Sequence, residues 1–366
     1  MSLSRGAILI LVAALALSAG ALACAASSGV APAHTGSVEA LSAARPVGGE
    51  SSPASPLPQR TGVRIGLVPV IGTTAVYLAM DRGYFAAENI ELEYETVQAT
   101  SEAIAHVASG QLELASASIG AAVLNSLSRG VDIRVVGGVY GLAPSGHGGA
   151  PIVARKDLYD AGVVRDAAGL RGRRVGNNGS GVFSEYAIDA TMRTAGLTID
   201  DVETVLIPFP DIPNALANQA IDGAYLPEPA ASAGVERGVA VPIVTDVVRG
   251  GQILVLVAGP TFLRDRAVAE AFLRAHLRGL ADLTAEGFNS PSVAPSIERY
   301  THVPAATVMK ILPEYADPEA RINWDSIMDQ QRFYLERGYL NYSEPLDLAR
   351  FVEDGPRQAA LAALGR

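Results

Sequence analysis

From residue 63 onward, apolar and polar positions follow two alternating periods. "VRIGL" (63–67) is an apolar run of strand length, and "IELEYE" (90–95) places Ile90, Leu92 and Tyr94 on one face. Between them, "AVYLAMDRGYFAAEN" (75–89) carries the helical period and breaks at Gly83. "SEAIAHVASG" (101–110) opens on a capping Ser and stops on Gly, as a helix does. "LELASAS" (112–118), "IGAAVLNSLSRG" (119–130) and "IRVVGGVY" (133–140) then read as strand, helix and strand. This βαβαβ succession predicts a mainly parallel, doubly wound sheet.

A second unit begins near Pro151. It contains the strand end "RRVGNN" (173–178), the helix "SEYAIDATMRTAG" (184–196) and the strand "VETVLIPF" (202–209). The helix "IPNALANQA" (212–220) and the strand "DGAYLPEP" (222–229) follow. "VPIVTDV" (241–247) and "QILVLVAG" (252–259) read as strands leading back to the first unit, and beyond Pro260 the pattern is helical. The expected architecture is α/β: two doubly wound domains, residues 61–150 plus 250–366 and residues 151–249, joined by a hinge of two crossovers. Such a clamshell binds ligands beyond the carboxyl ends of its strands, in the inter-domain cleft.

The first 60 residues have a different texture. A basic start at Arg5 precedes the apolar run "AILILVAALAL" (7–17), and small residues lead to "ALAC" at 21–24. This predicts a secretory signal over residues 1–23. The rival reading is a membrane-spanning anchor, which needs about 18 apolar residues. Cys24, the one cysteine of the chain, lies at the expected cut, where it would become the lipid-bearing first residue of a lipoprotein. "Ala-Leu-Ala" would serve an ordinary signal peptidase equally well. Residues 24–60, rich in Ala, Ser, Gly and Pro, predict a flexible tether holding a globular domain off a membrane on its extracytoplasmic face.

Composition narrows the function. The chain has 366 residues, 49% of them apolar, so a large core is available. Its net charge of −10, with no basic stripe, argues against nucleic acid as a partner. The five histidines, His34, His106, His147, His276 and His302, show no metal spacing. His106 and His276 sit within helical patterns; His147 lies in the glycine-rich crossover "GLAPSGHGGAP". No G-x-S-x-G elbow occurs. No catalytic residue, metal or cofactor is therefore expected.

The most ligand-like stretch is "GNNGSGVFSEY" (176–186). Its glycines follow neither the dinucleotide order nor a phosphate-loop order. What remains is a polar turn between strand and helix with free N–H donors, or a plain turn capped by Ser180 or Ser184. In "LPEP" (226–229), Glu228 either points into the cleft as an acceptor or complements a helix N-terminus.

Taken together, "AVYLAMDRGYFAAENIELEYE", "SEAIAHVASGQLELASAS", "LRGRRVGNNGSG" and "DGAYLPEPAAS" resemble the solute-binding components of ABC importers for nitrate, sulfonates, taurine and thiamine-precursor pyrimidines. The resemblance spans roughly residues 62–352. It implies a periplasmic-binding-protein type II fold, capture of a small-molecule solute by hinge closure, cognate permease and ATPase subunits as partners, and a monomer. Where the family often has an aromatic residue before Glu-Pro, this chain has Pro227, and Tyr225 would supply the ring. A related branch builds the thiamine pyrimidine with a cysteine-rich segment, which this chain lacks.

Matching the family's loops implies as ligand contacts Thr73 and Thr74, Gln98 and Ser101, Ser116 and Ser118, and Tyr140 and His147. It adds Asn177, Asn178 and Ser180, then Glu228. The rings of Tyr77, Tyr140, Phe183, Tyr186 and Tyr225 suit a flat vitamin-type heterocycle, a pyrimidine or riboflavin. Sulfonate, taurine and nitrate stay open, since helix N-termini and hydroxyls can hold anions.

Overall fold

The computed structural model describes residues 55–97, 100–144 and 148–366. The signal segment, Cys24, the tether as far as residue 54, Gln98 and His147 lie outside the described residues. The strands are β1 (Thr61–Leu67), β2 (Ile90–Thr96), β3 (Leu114–Ser118), β4 (Arg134–Gly141) and β5 (Ile152–Arg155). They continue with β6 (Arg174–Asn177), β7 (Glu203–Leu206), β8 (Gly223–Tyr225), β9 (Ala240–Val244) and β10 (Gln252–Ala258).

Two five-stranded sheets result, in the orders β2-β1-β3-β10-β4 and β7-β6-β8-β5-β9. In each, one strand runs against the others: β10 is antiparallel to β3 and β4, and β5 to β8 and β9. The sheets are thus mixed, because the strand entering each lobe from the other arrives in the opposite direction. Strand β5 had no counterpart in the sequence pattern, and it lies inside the second sheet. The chain passes between sheets twice, after β4 and after β9.

Helices α1 (Thr74–Asp81), α2 (Tyr84–Ala87), α3 (Thr100–Ser109) and α4 (Ala121–Ser128) connect the first strands. In the second unit come α5 (Lys156–Asp160), α6 (Phe183–Thr194), α7 (Ile212–Ala217) and α8 (Ala230–Glu236). The return contributes α9 (Pro260–Arg264), α10 (Arg266–Glu286), α11 (Ala294–Thr301), α12 (Ala305–Val308), α13 (Trp324–Glu336) and α14 (Gly355–Ala363). The break at Gly83 is real: its φ of 70° is a left-handed conformation that glycine adopts without steric cost.

Strand β10 shows how the core is divided. Leu254, Leu256 and Ala258 face the cluster under α1 and α10, while Val255 and Val257 face a second cluster on the other side. Both faces of the sheet are covered, which is why this strand reads as an unbroken apolar run. The second cluster continues into Ile152, Ala154 and Val175 of the other sheet, so apolar packing joins the two lobes. Helix α10 lies close against α1: a Cβ on Gly279 would stand 2.3 Å from the Ala75 carbonyl.

Two details depart from the expected domain plan. Leu57 is buried in the first lobe's core and its N–H donates to the Glu88 carbonyl, so ordered chain precedes residue 61. Helix α13 packs on α6 as well as on α4 and β10, so the C-terminal return touches both lobes. Arg193 and Arg337, in α6 and just after α13, pair with Glu336 and Asp200 across that junction.

Candidate functional site

The carboxyl ends of the parallel strands bring six loops to the region between the lobes, and each loop uses its polar groups differently. After β1, a short turn over Ile71–Thr73 leads into α1. The hydroxyls of Thr73 and Thr74 donate to the carbonyls of Val70 (2.7 Å) and Ile71 (2.5 Å) within that turn. The ring of Tyr140, at the end of β4, packs on the same turn: a Cβ on Gly72 would stand 2.8 Å from it.

Tyr77 is buried in the first lobe, stacked on Tyr300 at 4.5 Å and edge-on to Tyr94, with its phenol beside the Thr73 hydroxyl. Ser101 is exposed on α3, and its neighbour Thr100 takes the inward role by accepting the Ser118 N–H at 3.2 Å. Ser116 is fully buried with a hydroxyl that has no partner among the described residues.

The glycine-rich loop after β6 is held from within. Asn177 Nδ2 donates to the Gly179 carbonyl (2.6 Å), and the Ser184 hydroxyl lies between the side-chain oxygens of Asn177 and Asn178, its one proton shared between them. Glu185 accepts the Gly181 N–H at 2.7 Å and the Tyr339 hydroxyl at 2.8 Å. Asn177 therefore shapes the turn, whereas Asn178 and Ser180 stay exposed. Gly181 makes the bridge between lobes: its carbonyl accepts the Ala121 N–H at 2.8 Å. Its φ of 67° and the contact a Cβ would make with Ala121 at 2.9 Å both require glycine.

Behind this loop the rings gather. Phe183 stands edge-on to Tyr186 (5.9 Å) and Tyr225 (6.1 Å), and Tyr225 meets Phe209 at 6.1 Å. Phe183 also presses on the second crossover, since a Cβ on Gly251 would come within 2.8 Å of its ring. Burial raises the Tyr186 phenol to about 12 and moves the Tyr225 phenol up further. Pattern reasoning missed Phe209, whose only signal was an aromatic between two prolines.

Two carboxyl groups complete the region. Glu228 is buried and accepts the Ser232 N–H, the Ser232 hydroxyl and the Leu312 N–H, each at 3.0 Å. Burial outweighs these three donors and raises its pKa. Glu314, which the sequence did not single out, accepts the Tyr140 hydroxyl on Oε2, while its Oε1 is sealed from solvent with no partner among the described residues. Part of the residue faces solvent, but its carboxyl is enclosed, and this raises the pKa to about 8, with Glu228 adding to the rise. A cavity of about 140 Å³ lies beside Tyr140, between the crossovers and the C-terminal segment, lined among others by Gln252, Tyr315, Asp317 and Asn323. Of these rings Tyr140 lines the cavity, while Phe183 and Tyr225 are almost wholly buried behind it.

Comparison with known proteins agrees with this geometry. The sequence pattern of the family described as "NMT1/THI5 like" matches residues 71–287. The riboflavin-binding protein RibY of Chloroflexus aurantiacus is 26% identical over 247 residues, 66% of this chain and 68% of that protein. Among solved structures, the alkanesulfonate-binding protein SsuA from Xanthomonas axonopodis pv. citri, bound to MOPS, superposes with a TM-score of 0.62 at 15% identity, over 81% of this chain and 99% of that one. The nitrate-binding protein NrtA from Synechocystis PCC 6803 gives 0.65 at 15% identity, over 83% and 89%. The desulfurization enzyme DSZB has the same fold, with a TM-score of 0.59 at 19% identity over 84% and 100%.

Proposed function

The chain belongs to the NMT1/THI5-like family, and on that footing we propose that it is the extracytoplasmic solute-binding component of an ABC import system, taking a flat heteroaromatic nutrient such as riboflavin or a thiamine-precursor pyrimidine. One observation supports the choice of solute: the loops between the lobes contribute rings and two carboxyl groups, and the cation on the cavity's edge, Arg321, is already paired with Asp317 and Glu319. The described residues of the six loops include no Lys or Arg, and Arg249 in the second crossover is exposed and paired with Asp246. A sulfonate or nitrate would meet the buried Glu228 carboxyl without a free cation to compensate it. A neutral ring meets Phe183, Tyr225 and Tyr140, and its polar edge finds acceptors. The relationship to RibY supports the same choice.

Binding should be saturable and one-to-one, read by intrinsic fluorescence and by thermal melting. A solute that binds only the folded protein adds about 2.7 kcal/mol of stability at a hundredfold excess over Kd. Riboflavin or an aminopyrimidine should raise the melting temperature where taurine and nitrate at equal concentration do not. Tighter binding of either anion would overturn the choice of solute, and a converted product would move the protein to the enzymes of this fold.

The same reading makes Cys24 the lipid-bearing residue of a monomeric protein tethered outside the cell, beside its permease and ATPase subunits. Cys24→Ser should shift the protein from the membrane fraction to the soluble fraction. Retention of the variant in membranes would mean that residues 7–17 remain as a spanning helix.

A further inference from the structure

The clearest unsatisfied group between the lobes is the Glu314 carboxyl. It stands where four parts of the molecule meet. Tyr140 reaches it from β4, the first crossover passes so close that a Cβ on Gly149 would lie 1.9 Å from Oε1, and Tyr225 and Glu228 face it from the end of β8. Glu314 itself enters on the segment between α12 and α13, two residues after Leu312, whose N–H holds Glu228. Among the described residues no Lys, Arg or His contributes to its electrostatics; the facing titratable groups are Tyr140, Tyr225 and Glu228.

We propose that Glu314 is the specificity-determining residue of the site, pairing through its free oxygen with a solute edge that sets an N–H beside a carbonyl or ring nitrogen. This rests on the reading of the protein as a binder of flat heterocycles. With its pKa raised to about 8, the carboxyl keeps its proton at neutral pH. Oε2 accepts from Tyr140, so the proton belongs on Oε1, which becomes a buried donor in want of an acceptor. A neutral carboxyl offers one donor and one acceptor side by side. The imide edge of a flavin and the amino–ring nitrogen edge of an aminopyrimidine offer the complementary pair. Once ionised, the group loses its donor and repels acceptors, so affinity falls as pH rises through the carboxyl's pKa.

The test is the Kd for riboflavin and for an aminopyrimidine, measured on the full chain from about pH 6 to 9 for wild type, Glu314→Gln and Glu314→Leu. Wild-type affinity should hold up to about pH 8 and then fall, approaching tenfold per pH unit. Glu314→Gln, whose amide also offers donor and acceptor but does not titrate, should bind within about threefold of wild type at neutral pH and show no such fall. Any titration of the solute itself appears in the Gln variant and is subtracted with it. Glu314→Leu should bind about 10- to 100-fold more weakly at every pH. Parallel profiles for wild type and Glu314→Gln, or full affinity in Glu314→Leu, would overturn the role of Glu314 and leave the solute class standing. Wild type binding taurine or nitrate more tightly than both heterocycles would overturn the solute class, and this inference with it.

Discussion

Glu314→Gln should stabilise the folded protein by on the order of 5 kcal/mol above pH 8 and leave it unchanged near pH 4. The sign follows from where the proton sits. The unfolded chain releases it near the ordinary glutamate value of 4.5, whereas the folded chain keeps it until about 8, because enclosure penalises the charge. Below the lower value both states are protonated and the group is neutral in the balance. As pH climbs from one value to the other the unfolded state is favoured progressively, and the effect levels off once the folded carboxyl ionises. Gln has no proton to lose, so the variant escapes this penalty. Urea denaturation of both proteins at several pH values reads it directly. A stability difference that does not change with pH would show that the carboxyl is not held protonated.

Phe183→Ala should lower stability by about 3–5 kcal/mol, whether or not solute is present. The ring is 4% exposed, packs edge-on to Tyr186 and Tyr225, and rests on Gly251. Its removal opens a void where the second lobe meets the crossover, which neighbouring backbone cannot fill by moving side chains alone. Because Tyr225 loses its partner, riboflavin affinity should fall as well, but the melting temperature without ligand already separates core from cleft. A variant that melts like wild type would mean that Phe183 is not part of the buried cluster.

How much of this was legible in the sequence depended on whether the signal was local. The alternation of strands and helices, the break at Gly83 and the two crossovers follow from periods and glycine positions within windows of about ten residues. Strand β5 did not announce itself: Ile152–Arg155 has four residues, enough to pair with two neighbours but too few to show a period. The reversed direction of β5 and β10 is a property of the sheet order, which no window contains. In the glycine-rich loop, the residue types pointed to a polar turn without saying whether Asn177 faced a solute or its own backbone; its amide donating to the Gly179 carbonyl decides for the backbone. Tyr77 stacks on Tyr300 while its phenol stands beside Thr73, and the first of these contacts joins residues more than 200 positions apart, which no window contains. Glu314 was invisible because its importance comes from Tyr140 and Gly149, more than 160 residues away in sequence.

The N–H···O bridge from Ala121 to Gly181, one of several ties between the lobes beside Leu312 to Glu228 and Tyr339 to Glu185, has a thermodynamic meaning for uptake. A backbone hydrogen bond between the buried Gly181 and the half-buried Ala121 contributes about 0.5–1.5 kcal/mol, which biases a two-state balance by only about two- to twelvefold. A bias that small cannot by itself keep the lobes shut. The ion pairs and the shared apolar cluster across the junction set the rest of the balance, and what the solute adds shifts it further, so that occupied and empty protein differ in shape. Gly181 makes that bias weak and adjustable: a bulkier residue there would hold the lobes apart, shifting the population toward open molecules that bind solute but seldom present a closed face to the permease.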